Sequence, residues 1–169
     1  MLTDRAEIQM AMQLIRAGRF SEAVQALQEP RTGSIVRKTN PLAHSILADA
    51  LQRTGENELA QSIASRSLDL HSSVPHVRAR CHFVLGNVSR ERGDFGRAIE
   101  HFQMASTGDI SNLELSSWSH LRLMTSIAEL EGTPAAMARL DDVRRVLTRF
   151  GDPRPFAALH LWLAEMEST

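Results

Sequence analysis

Cysteine and lysine are nearly missing from this chain of 169 residues; each occurs once, as Cys81 and Lys38. A lone cysteine cannot close an internal disulfide, and its apolar surroundings predict a small core residue rather than a reactive thiol. With every basic residue but one an arginine, the usage is that of a GC-rich bacterial genome, and it supplies the guanidinium fork suited to bidentate carboxylate recognition. Excess charge of either sign is missing too. Nineteen basic against 20 acidic residues leave a formal net charge of -1, which excludes a global field able to gather nucleic acid or anionic membrane. No apolar run approaches the roughly 20 residues of a membrane helix, and the opening MLTDRAEIQ lacks the basic-then-apolar order of a signal peptide, so a cytoplasmic setting is expected.

Signatures of catalysis are absent as well. There is no HExxH, CxxC, glycine-rich phosphate loop or GxSxG. The seven histidines are scattered. His82 and His101 fall on facing helices and could meet, but one cysteine and no acidic residue in register beside both predict no metal and no cofactor. Asp141 and Asp142 are adjacent, so they point to different helix faces and make a poor acid/base pair. The expectation is a protein that is not an enzyme.

What the chain does contain is a repeat. Turn glycines stand at Gly18, Gly55, Gly93 and Gly132, at intervals of 37, 38 and 39 residues, and five residues after each comes a small or apolar residue, Ala23, Ala60, Ala98 and Met137. Two features moving together are much harder to obtain by chance than one. Strand-like alternation is lacking, whereas the 3.6-residue period recurs throughout, so the predicted class is all-α. The clearest copy is CHFVLGNVSRERGDFGRAIEHFQMA, from Cys81 to Ala105. It reads as a helix with His82, Leu85, Gly86 and Ser89 on one face, a turn at Gly93-Asp94-Phe95, and a second helix presenting Ala98, Phe102 and Ala105.

Leu85-Gly86 and Ala98-x-x-x-Phe102 resemble the tetratricopeptide repeat (TPR), although His82 and Ser89 replace the usual aromatics and the closing proline is absent. The resemblance implies a right-handed superhelical solenoid. We expect one domain over residues 1–169, with about four hairpins at 4–30, 41–70, 76–106 and 111–149 and a final helix at 154–167. A capping box at Asp4 and Glu7 opens the first unit, whose packing face is Ala6, Met10, Ala11 and Leu14. Asn40-Pro41 caps and starts the second, in which Leu47, Ala48 and Leu51 face Leu59, Ala60, Ile63 and Ala64. Ser111 and Glu114 offer a second capping box, and Trp118, Leu121, Met124 and Ala128 lie along the helix that follows. One helix from Thr133-Pro134 carries Met137, Leu140, Val143 and Leu147. Residues 31–40 are expected to form a mobile loop, open to proteolysis near Arg37 and Lys38.

In TPR superhelices the first helix of each unit lines a concave groove. That resemblance puts Arg5, Ile8, Met12 and Arg16, then Ser45, Asp49, Gln52 and Arg53, then Arg80, Phe83, Asn87 and Arg90, and finally Arg122, Ser126 and Glu129 along the groove. The spacing 80, 83, 87, 90 is by itself one helical stripe. Arg53, Arg80, Phe83, Asn87, Arg90 and Arg122 are the candidate partner-binding residues. The expected function is an interaction module that binds a protein or peptide, with an extended acidic segment suiting the arginines better than a terminal carboxylate, because Asp49 stands where a carboxylate clamp needs asparagine. Such a module would be the docking or sensory part of a larger bacterial regulator. The competing classes are a pentatricopeptide-like RNA binder and a small-ligand sensor; near-neutral charge argues against the former. The last helix, PFAALHLWLAEME, is apolar nearly all round, which predicts either a further repeat beyond it or a homodimer formed through it.

Overall fold

The computed structural model describes residues 2–28, 40–109 and 111–167, with side chains from Arg5 onward. Among these residues the chain is helical, without strand. Three hairpins come first: α1 (Leu2–Arg16) with α2 (Phe20–Gln28), α3 (Pro41–Arg53) with α4 (Asn57–His71), and α5 (Pro75–Glu91) with α6 (Phe95–Gly108). They are followed by α7 (Leu113–Glu131), a five-residue α8 (Thr133–Met137), α9 (Leu140–Phe150) and α10 (Pro153–Glu167). Each hairpin stacks on the next, and the first helices also touch in series, α1 on α3, α3 on α5 and α5 on α7. This is solenoid packing, in which every unit is covered by its neighbours. The expected mobile loop at 31–40 lies, apart from Asn40, outside the described residues.

The turn glycines at 18, 55, 93 and 132 all have positive φ, between 75° and 93°. A side chain is disfavoured there, so glycine at these positions is a backbone requirement. At the first three, the second helix starts two residues later and the alanine five residues on is fully buried: Ala23, Ala60 and Ala98. At Gly132 the helix starts one residue later, at Thr133, because Gly132 itself serves as the N-cap and Pro134 sits in the first turn. The register therefore slips by one. Ala136 is fully buried and Met137, expected to hold that position, is 41% exposed. The predicted single helix is also broken at Ala138-Arg139 into α8 and α9, of which α9 buries Leu140, Val143 and Leu147.

Other expectations shift locally. Helix α1 already runs from Leu2, so Asp4 stands inside its first turn rather than before it. Its buried residues are Ile8 and Ala11, while Ala6 and Met10 are exposed. Leu59 likewise turns outward. Asn40 does cap α3, its Oδ1 accepting from the amides of Leu42 at 3.0 Å and Ala43 at 3.2 Å. For α7 the cap is Asn112, whose Oδ1 accepts from Leu115 N at 3.1 Å, and Ser111 instead bonds Asp109. Helix α10 is seated through Pro155 and Leu159, with Phe156, Trp162, Leu163 and Met166 half-buried and Leu161 exposed.

Helix α5 is buried on two sides. Val77, Cys81, Val84 and Leu85 belong to one apolar cluster with α1 to α4, whereas Ala79 and Phe83 join the cluster that continues to α10. Cys81 is fully buried, and burial pushes its thiol up to about 11, the state of an inert core residue.

His82 and His101 do meet across α5 and α6, with Nδ1 atoms 3.2 Å apart. One ring must donate and the other accept, so the contact requires at least the accepting imidazole to be neutral and is lost when both are protonated. Burial first, then His101 and Arg78, lowers His82 from 6.5 to about 4; burial also lowers His101, with Arg97 in the same sense and Glu100 and Asp94 opposing. A depressed folded-state pKa means the contact's stability is complete above the unfolded value near 6.5 and is lost as pH falls from there toward 4. We expect the thermal midpoint to drop over that interval by more in the parent than in a His82→Leu/His101→Leu variant. The difference corresponds to about 1–2 kcal/mol after discounting for the partial exposure of the rings. A parent-to-variant difference that stays constant from pH 7.5 to 4.5 would show that the pair is not the source.

Candidate functional site: an arginine-lined concave groove

The groove is built from the inner faces of α1, α3, α5 and α7. Helical spacing aligns Asp49, Gln52 and Arg53 on α3 with Arg80, Phe83, Asn87 and Arg90 on α5 and with Leu115, Trp118 and Arg122 on α7. Two adjoining hollows open there. One, of about 280 Å³, is lined by Phe20, Gln52, Arg53, Phe83, Asn87, Arg90, Glu91, Trp118 and Arg122. The other is lined chiefly by Met12, Ile15, Arg16, Asp49, Arg53, Arg80, Glu114 and Arg154, and shares Phe83 and Trp118 with the first. All six candidate residues read from the sequence thus converge on one surface. Ile8, Ser45 and Ser126, also expected there, are buried in the helix packing instead. Arg5 and Glu129 are exposed and line neither hollow.

Asp49 organises the middle of the groove. The residue is 3% exposed, and its carboxylate accepts from Arg53 Nε at 3.1 Å and Arg80 Nη1 at 3.2 Å. It is therefore spent on holding two guanidinium groups, not on meeting a ligand. The other face of Arg53 lies over the Phe20 ring, 5.3 Å from its centroid, an arrangement attractive to a cation. A second chain of bonds ties three helices together: Asn57 Nδ2 donates to Glu91 Oε2 and Gln52 Nε2 to Glu91 Oε1, both at 2.6 Å, and Asn87 Nδ2 donates to Gln52 Oε1 at 3.3 Å. At the far end Glu114 accepts from Arg16 on α1 at 3.4 Å and from Arg154 on α10 at 3.3 Å.

Arg90 and Arg122 differ from the rest. Neither makes an ion pair or hydrogen bond with its side chain among the described residues; the Nε of Arg90, like that of Arg80, is buried without an acceptor. Burial lowers the pKa of Arg122, and the Arg90 and Arg53 charges lower it further against the pull of Glu91. It remains cationic, but its charge is poorly compensated.

Sequence reasoning missed Phe20, Trp118, Glu91 and Arg154 as groove residues. Trp118 precedes Arg122 by one helical turn, a spacing that would have placed it on the same stripe. Nothing local distinguishes Arg154, which reaches the groove only because α10 folds back on α7.

No described helix is long and apolar enough to cross a membrane. Among the described residues no group of three or more His, Cys, Asp or Glu could hold a metal ion.

Comparison with curated proteins found no match. Among solved structures, the chain is similar to "MamA 41-end from Desulfovibrio magneticus RS-1", at 16% identity and a TM-score of 0.37, over 87% of this chain and 96% of that one. It is also similar to "MamA RS-1 ArsTM double mutant", at 16% identity and a TM-score of 0.37, over 89% and 97%. A family model described as tetratricopeptide repeat matches residues 40–110, the stretch that carries α3 to α6. Gly55 and Gly93, each with positive φ and a fully buried alanine five residues on, lie within the matched stretch and support the tetratricopeptide-repeat assignment of residues 40–110, a repeat type of protein-interaction scaffolds.

Proposed function

We propose that the chain is a cytoplasmic, non-catalytic docking module that holds an extended acidic segment of a partner protein in the concave groove, as part of a larger bacterial regulator. One observation carries this reading. The two hollows gather Arg16, Arg53, Arg80, Arg90, Arg122 and Arg154 against Asp49, Glu91 and Glu114, although the chain as a whole has a formal net charge of -1. Positive charge concentrated in a concavity focuses the field and attracts an anionic partner. Trp118, half-buried above the core residue Phe83, supplies apolar wall between the charges, which a peptide's side-chain stems can cover.

Trp118 lies in both hollows and is one of only two tryptophans. In a Trp162→Phe background its emission reports on the groove alone. A Glu-rich peptide of about ten residues should change that emission saturably, with affinity falling as salt rises. Equal binding of a neutral or Lys-rich peptide, or no response from Trp118, would defeat the proposal. Preferential binding of a single-stranded RNA would defeat it in favour of nucleic-acid recognition.

A further inference from the structure

We infer that the hollow lined by Arg90 and Arg122 is a phosphoryl subsite, in which these two arginines receive a phosphorylated side chain of the bound segment. This inference rests on the groove being the docking surface, and it concerns what occupies one place in it.

The charge balance around that hollow leads to this choice. Four guanidinium groups, Arg53, Arg80, Arg90 and Arg122, face two carboxylates, Asp49 and Glu91. Asp49 is already bonded to Arg53 and Arg80. Both oxygens of Glu91 accept from the amides of Gln52 and Asn57. The net surplus is two positive charges, and within this group Arg90 and Arg122 are the arginines whose side chains make no ion pair among the described residues. A single carboxylate would compensate only one. A phosphate monoester carries about -1.5 to -2 at neutral pH and three strong acceptor oxygens, which matches the net surplus of two positive charges and offers acceptors to both guanidinium groups. Arginine forks suit this better than point charges would. The hollow, about 280 Å³, leaves space for the phosphoryl group, and Phe83 and Trp118 make part of its wall apolar. Such a wall strengthens the charge-assisted bonds.

The test uses the full chain, labelled so that the arginine Nε–Hε signals are seen by NMR, and three blocked pentapeptides of alanine with phosphoserine, aspartate or serine at the centre. At pH 7.5 the phosphoserine peptide should bind at least about tenfold more tightly than the aspartate peptide and shift the Arg90 and Arg122 signals. Arg90→Gln/Arg122→Gln should abolish that preference. Arg90→Lys/Arg122→Lys, which keeps the charge and removes the fork, should retain only part of it, and provides the comparison should the glutamine variant fail to fold. Equal affinity for the aspartate peptide would overturn the phosphoryl subsite and leave the acidic-segment reading standing. Shifts elsewhere in the groove with none at Arg90 or Arg122 would also overturn the subsite. No shift anywhere in the groove with either anionic peptide would overturn the subsite and the docking surface together.

Discussion

Replacing Phe102 by alanine should cost about 3–5 kcal/mol of folding stability, the range for emptying a fully buried aromatic site. Phe102 is the bulkiest fully buried side chain among the described residues. It projects from α6 onto α5 at Gly86, where an added Cβ would lie 2.7 Å from its Cε1 and 2.8 Å from its Cδ1. Its ring also meets Phe83 edge-on, with centroids 5.9 Å apart at 60°, so the groove's own floor rests on it. Gly86→Leu attacks the same crossing from the other side and should overpack it at about 1–3 kcal/mol. The two changes share one volume. In the absence of the ring, the side chain introduced by Gly86→Leu can occupy part of the vacated space, so the double variant should be more stable than the sum of the single losses predicts. Urea denaturation followed by circular dichroism measures all three. A loss below about 1 kcal/mol for Phe102→Ala, or strictly additive losses, would mean that the crossing does not hold the hairpin together.

Reversing both unpaired groove charges, Arg90→Glu with Arg122→Glu, should weaken binding of the Glu-rich peptide by about 2–6 kcal/mol, taking 1–3 for each charged contact. The fold should survive. Neither side chain is hydrogen-bonded or ion-paired within the described residues, and the parent already bears the repulsion that depresses Arg122 beside Arg90 and Arg53. Reversal exchanges repulsion by Arg53 for attraction, and attraction by Glu91 for repulsion, so the melting temperature should change little. Asp49 distinguishes this from general charge removal: Asp49→Ala would leave Arg53 and Arg80 without their shared acceptor and should destabilise the protein itself. Peptide titration and thermal melting of the double reversal, run side by side, separate the two effects. Unchanged affinity in a folded double variant would remove Arg90 and Arg122 from the docking surface.

The sequence by itself determined what depends on a few neighbouring residues. Gly18, Gly55, Gly93 and Gly132 mark the hairpin turns because a positive φ selects glycine wherever it occurs. Asn40-Pro41 starts α3 because cap chemistry is complete within four residues. The stripe Arg80, Phe83, Asn87 and Arg90 needs only the helical period, and so it was legible as one surface.

Tertiary structure decided which side of each stripe is covered and how the charges pair. Periodicity shows that Ile8 and Met12 lie near one face of α1, yet only the positions of α2 and α3 send Ile8 into the core and leave Met12 at the groove. The slip from Met137 to Ala136 follows from one missing residue between Gly132 and the helix start, too small a change for a repeat interval to reveal. Apart from Arg53, one turn from Asp49, the partners of Asp49 and Glu114 lie 31, 98 and 40 residues away along the chain. No local pattern encodes such distances. Whether an arginine is paired or left free for a ligand is settled only when stacking brings separate repeats to within about 3 Å of one another, the range in which charged groups form direct hydrogen bonds.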